Sequence, residues 1–217
     1  MWKRVMRDIG SMWWQLPEHL YGLYRISLLH GPCVTVFGGG HVALSDPGYE
    51  QAKELGRLVA SKGFSLLTGG GSGVMEAALC GGLLGGGDWR HALGIGVRNV
   101  DQNYLPHCRS ATIFVNNFNI RKVLLTHYSV GIVVCFGGIG TFDELFYTVN
   151  LLKTVQLQKV PLVLLGADFW RGLTDWMVDF PVAQGLIEKS ALKIFHVAQD
   201  PEEACALLFK HCSKVPC

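Results

Sequence analysis

Apolar runs that end in clusters of glycine recur along this chain, and they leave it few architectures. Residues 130–135 run into Phe136-Gly137-Gly138-Ile139-Gly140-Thr141, residues 64–67 into Thr68-Gly69-Gly70-Gly71-Ser72-Gly73, and Cys33–Phe37 into Gly38-Gly39-Gly40. A strand that is apolar at consecutive positions is buried on both faces, which places it in a parallel sheet between two layers of helices. Ala92–Val97, 111–115, Leu162–Leu165 and 194–197 read as further strands. Helices separate them: one capped by Asp46-Pro47 and running to about Lys62, a short one over 74–80, then 120–128, 141 to about 152, and 201–211. The spacing predicts an α/β fold, a Rossmann-like doubly wound parallel sheet with helices on both faces. Crossovers of this kind are right-handed, so the three glycine clusters fall at the carboxyl edge of the sheet, where such folds bind ligands.

Residues 31–217 carry no internal repeat or linker and read as one Rossmann-like domain. Residues 1–30 read as a helical extension, rich in aromatic and large apolar residues (Trp2, Met6, Trp13, Trp14, Leu20, Tyr21, Tyr24), that packs on the body or on a neighbouring subunit. Lys3 and Arg4 are followed by Asp8 with no long apolar core, which argues against a signal peptide. No stretch reaches the roughly 18 continuous apolar residues of a membrane span. A net charge of +2 gives no ground for a nucleic-acid or membrane partner. Seven cysteines without a CxxC pair fit a reducing, cytoplasmic setting better than a disulfide framework. Eight histidines without an HExxH motif suggest no metal centre.

A glycine turn that feeds a helix start leaves backbone N–H groups aimed at one point, which suits a phosphate. Asp143 and Glu144 lie within the first turn after that cluster. Two carboxylates beside an anion site either complement the positive helix end or take part in chemistry. The usual nucleotide devices are missing: Gly38-Gly39-Gly40 lacks the GxGxxG spacing, and no GxxxxGK[ST] sequence occurs. Tight packing of a strand-to-helix turn is the alternative for residues 69–73. Arg121-Lys122, after the polar cluster Asn116, Asn117 and Asn119, sits where a helix start overhangs the ligand edge, and it reads as phosphate or ribose contacts or as plain surface. Met75, Phe118 and Phe136 are either a pocket for an apolar base or core.

The motifs Thr68-Gly69-Gly70-Gly71-Ser72-Gly73-Val74-Met75-Glu76-Ala77, Ile120-Arg121-Lys122 and Gly137-Gly138-Ile139-Gly140-Thr141-Phe142-Asp143-Glu144 resemble the LOG family, cytokinin riboside 5′-monophosphate phosphoribohydrolases that were long labelled lysine decarboxylases. The resemblance implies hydrolysis of the N-glycosidic bond of AMP or a cytokinin riboside 5′-monophosphate, giving free base and ribose 5-phosphate without a cofactor. It implies that Arg121 and Glu144 are catalytic. It further implies that Lys122, Gly71, Gly137, Gly138, Gly140, Thr141 and Asn103 bind substrate, in a homodimer or larger homo-oligomer. Three features depart from the family pattern. Phe136 stands where proline is usual, which puts the shape of the turn in question. His41 follows the first glycine cluster where a Gly-Ser sequence is common, and reads as an exposed loop residue or a substrate contact. The extension over 1–30 has no counterpart in the shortest members. A non-catalytic nucleotide-binding protein or molybdenum-cofactor carrier is the rival reading, since such carriers share the fold and the turn, but they would not need both Arg121 and Glu144. A pyridoxal-phosphate decarboxylase is disfavoured, because no lysine sits in a Schiff-base context.

Overall fold

Side chains alternate along the strands between two separate cores, as strand geometry requires. In β1 (Cys33–Phe37), Cys33 and Phe37 face one core, and Val34 and Val36 face the other. β6 (Leu162–Leu165) divides in the same way. The computed structural model describes residues 2–100 and 111–212. The remaining strands are β2 (Ser65–Thr68), β3 (Ala92–Val97), β4 (Thr112–Val115), β5 (Ser129–Val134) and β7 (Phe195–Ala198), and all pairings are parallel in the order β4-β3-β2-β1-β5-β6-β7.

Seven α-helices cover this sheet among the described residues: α1 (Trp2–Ser27), α2 (Pro47–Ser61), α3 (Val74–Gly86), α4 (Phe118–His127), α5 (Ile139–Lys153), α6 (Ala167–Met177) and α7 (Pro201–Cys212). Leu124 and Leu125 of α4, Leu145 of α5 and Trp170 of α6 fill one core; Leu55 of α2, Leu79 of α3 and Leu208 of α7 fill the other. The chain winds outward from β1 to β4, then returns through α4 to lay β5 on the opposite side of β1. That reversal of strand order opens a crevice between the carboxyl ends of β1 and β5. No helix among the described residues is long and apolar enough to cross a membrane.

Four details differ from the sequence expectation. The helix expected over 74–80 continues to Gly86. A Cβ at Gly81 would lie 1.8 Å from the Lys53 carbonyl oxygen, and one at Gly56 would lie 2.1 Å from that of Ala78. These glycines let α2 and α3 pack backbone against backbone. Helix α6 had no counterpart in the sequence reading. In α1, Leu20, Tyr21 and Tyr24 are exposed, while Gly22, Leu23 and Ile26 face the body, with Gly22 against Leu124. Cys80 is disulfide-bonded, against the expectation that the cysteines are all thiols, whereas Cys33, Cys135 and Cys205 are free and buried.

Trp170 ties α6 to the sheet, with its side chain 0% exposed and its indole N–H donating to the Leu165 carbonyl at 3.1 Å. Trp170→Ala is expected to cost about 3–5 kcal/mol of unfolding free energy in urea denaturation, through lost contacts and the cavity left behind.

Candidate active site

The two glycine turns at the strand reversal touch. The Gly39 N–H donates to the Phe136 carbonyl at 3.0 Å, and a Cβ at Gly137 would lie 2.7 Å from the Gly39 nitrogen and 2.2 Å from Thr141 Oγ1. A side chain at residue 137 would therefore force the turns apart. α5 starts with Gly138 as its cap, and its first intrahelical bond is donated by the Phe142 N–H to the Gly138 carbonyl at 3.0 Å. The amides of Ile139, Gly140 and Thr141 precede that ladder and give the helix start its anion-binding character.

Beside this helix start lies a cleft of about 340 Å³. Gly38, Gly39, Gly40 and His41 form one wall, Gly138, Ile139, Gly140, Thr141 and Glu144 the second, and Met75, Val100, Phe118 and Arg121 the third. α4 carries Arg121 to the cleft. Its cap is Asn117, whose side chain accepts from the Asn119 N–H at 2.7 Å. The residue before it, Asn116, is held from α1: its backbone N–H donates to Glu18 Oε2 at 3.0 Å, and its side-chain amide also donates to the Glu18 carboxylate.

The centre of the site is an ion pair. Arg121 Nη2 donates to Glu144 Oε1 at 3.1 Å, with the two side chains 11% and 6% exposed. The Arg121 guanidinium also lies 4.9 Å from the Phe118 ring centroid. Burial pushes the Glu144 carboxyl up to about 7; the Arg121 charge opposes this without cancelling it. Glu144 thus titrates near neutrality in a cleft whose other charged lining group among the described residues is its own partner.

The structure brings together Arg121, Glu144, Gly138, Gly140 and Thr141 around this cleft, and His41, exposed, joins them. Lys122 does not line it, because its ammonium pairs with Asp143 outside the cleft wall, which also gives Asp143 a partner. Gly71 is buried and Gly137 lies between the two turns, and neither lines the cleft. Asn103 lies outside the described residues. Phe136 points away from the site: its ring occupies the space where a Cβ on Gly48, at the head of α2, would fall 1.9 Å from Cζ. Proline is therefore replaced without the pocket being covered. A second cleft of about 350 Å³, with Lys159, Lys193 and His196 in its lining, sits by the amino ends of β6 and β7, away from the glycine turns and Glu144.

Residues 72–208 match the family model described as possible lysine decarboxylase. The chain belongs to that family, LOG. A pyrimidine/purine nucleotide 5′-monophosphate nucleosidase of Escherichia coli K12 is 27% identical over 158 residues, covering 68% of this chain and 35% of the relative. The chain thus spans about a third of that protein's length. Among solved structures, the molybdenum cofactor binding protein of Rippkaea orientalis aligns with a TM-score of 0.58 at 25% identity, over 84% of this chain and 98% of that one. The molybdenum cofactor carrier protein of Chlamydomonas reinhardtii aligns with a TM-score of 0.59 at 26% identity, over 84% and 99%.

For this LOG family member the family description and the site disagree on chemistry. No lysine lines the cleft among the described residues, so the residues present do not fit a pyridoxal Schiff base. The glycine contact separates fold from binding. Gly137→Ala is expected to lower the melting temperature by several degrees, as about 1–3 kcal/mol of overpacking would in a chain of this size. Gly138→Ala, whose Cβ would meet nothing within 4 Å, is expected to keep the wild-type melting temperature while its methyl group weakens phosphate binding; thermal unfolding and calorimetric titration with ribose 5-phosphate check both.

Proposed function

We propose that the chain is a hydrolase of nucleoside 5′-monophosphates, AMP or a cytokinin riboside 5′-monophosphate, releasing the free base and ribose 5-phosphate. The observation that carries this reading is the buried Arg121–Glu144 pair one helical turn from the α5 amides. In this reading the 5′-phosphate sits at the amides of Ile139, Gly140 and Thr141, and the ribose reaches toward Glu144. The base rests among Met75, Val100 and Phe118. The C1′–N bond breaks with its electron pair leaving on the base nitrogen, which takes up a proton from solvent. Positive charge grows on C1′ and the ring oxygen, and a carboxylate beside it stabilises that state. Water adds to C1′, oriented by Glu144, which accepts its proton. Arg121 holds the carboxylate in place and cannot serve as the acid, since a guanidinium does not give up its proton. Contacts to the phosphate supply binding energy that aligns the distant reacting bond. The nucleosidase relative supports the same chemistry.

The near-complete coverage of the two molybdenum-cofactor proteins favours one second reading, a carrier that binds a phosphorylated cofactor without turnover. A buried carboxylate held by arginine has no evident use in such a carrier. We further propose that a second copy of this chain covers the exposed apolar side chains Phe146 on α5 and Phe169 and Trp176 on α6, giving a homodimer whose mass light scattering would report.

Incubation with a panel of nucleoside 5′-monophosphates, with released base measured by chromatography, decides between hydrolase and carrier. Glu144→Ala is expected to lower turnover by about 10²–10⁴-fold. Binding with no base release from any nucleotide would favour the carrier. The active form is the carboxylate, and burial raises its pKa, so kcat/KM for the free protein is expected to rise with pH through about 7 and level off above it. A rate that falls across that range would contradict the role given to Glu144.

A further inference from the structure

Among the described residues, the positive charge that lines the cleft falls short of the charge a phosphate carries. A phosphate monoester carries about −1.5 to −2 charges near pH 7, and a helix start offers roughly half a positive charge. Arg121 is engaged with Glu144, and Lys122 is engaged with Asp143 outside the lining. Among the described lining residues, the one other titratable side chain is His41.

His41 leaves a turn that is fixed on both sides. The Gly39 N–H donates to the Phe136 carbonyl, the Val74 N–H donates to the Gly39 carbonyl at 3.0 Å, and Ser72 Oγ donates to the Gly40 carbonyl at 2.5 Å. These bonds come from β5's turn on one side and from α3 and the turn before it on the other, so the backbone before His41 is held against the α5 start. His41 is exposed and lines the cleft. An imidazole ring N–H is a hydrogen-bond donor, and a phosphate oxygen is a charged acceptor that makes such a bond stronger.

We propose that His41 is a specificity residue: its imidazole N–H donates a hydrogen bond to the substrate's 5′-phosphate, so the cleft selects phosphorylated nucleosides over free ones. This rests on the nucleotide reading of the cleft and adds a contact to it. The residue binds the phosphate and takes no part in bond cleavage, so its loss shows in KM rather than kcat.

The test compares wild type, His41→Ala and His41→Lys in calorimetric binding of ribose 5-phosphate and of adenosine, and in turnover of AMP. His41→Ala is expected to weaken ribose 5-phosphate binding and raise KM for AMP by about tenfold, the size of one charge-assisted hydrogen bond at a partly solvated site, with kcat changed less than about twofold. Adenosine binding stays as in wild type, and His41→Lys restores the phosphate affinity. Unchanged ribose 5-phosphate binding in His41→Ala overturns the inference, as does an equal loss for adenosine, which marks a structural role. If ribose 5-phosphate binding depends on His41 while wild type releases no base, the phosphate contact stands and the hydrolase reading falls. If wild type does not bind ribose 5-phosphate, both fall.

Discussion

The contact between the turns after β1 and β5 governs the site. Strand order reverses there, so the two turns diverge to opposite faces of the sheet, yet the Gly39 amide still reaches the Phe136 carbonyl. That approach requires the absence of side chains at residues 39 and 137. It brings the start of α5 beside the Gly38–Gly40 wall, and the cleft is the space left between them. The same economy recurs at Gly48, which makes room for the Phe136 ring on the far side of the turn. A bulky residue in a proline position is thus absorbed by packing rather than by the pocket.

The Arg121–Glu144 pair is costly to keep. Taking both charges from water offsets much of their attraction, and a buried ion pair is weak evidence for stability. Its position explains it better. Arg121 arrives on α4, the helix that returns the chain across the sheet, and Glu144 arrives on α5, the helix that follows the reversal. The pair closes the cleft from two segments that are adjacent only because of the doubly wound order. The Glu18 carboxylate extends this framework into α1 by holding Asn116 at the entrance to α4.

Strand positions were legible because continuous apolar runs have one economical fate, burial on both faces. Arg121 and Glu144 were legible through their motif context, and the structure places them 3.1 Å apart although 23 residues separate them. Other residues depended on partners that no local pattern specifies. Lys122 shares a motif with Arg121, but the next helical position points elsewhere, and Asp143 takes its charge. The length of α3 was hidden because Gly81 and Gly82 lower helix propensity locally, while the gain from packing on α2 comes from residues about 30 positions earlier in sequence. In α1 the contacts to the body come from Gly22, Leu23 and Ile26 rather than from Leu20, Tyr21 and Tyr24, a division of faces that composition alone does not reveal. His41 carried no signal beyond its place after a glycine cluster, and it took the fold to bring it into the same cleft as Thr141.

Amide chemical shifts during titration with ribose 5-phosphate, the product of the proposed reaction, test the central claim most directly. The largest changes are expected at Ile139, Gly140 and Thr141, with smaller ones at Gly40 and His41 across the cleft. Changes confined to the cleft of Lys159, Lys193 and His196, or none at the start of α5, would contradict it.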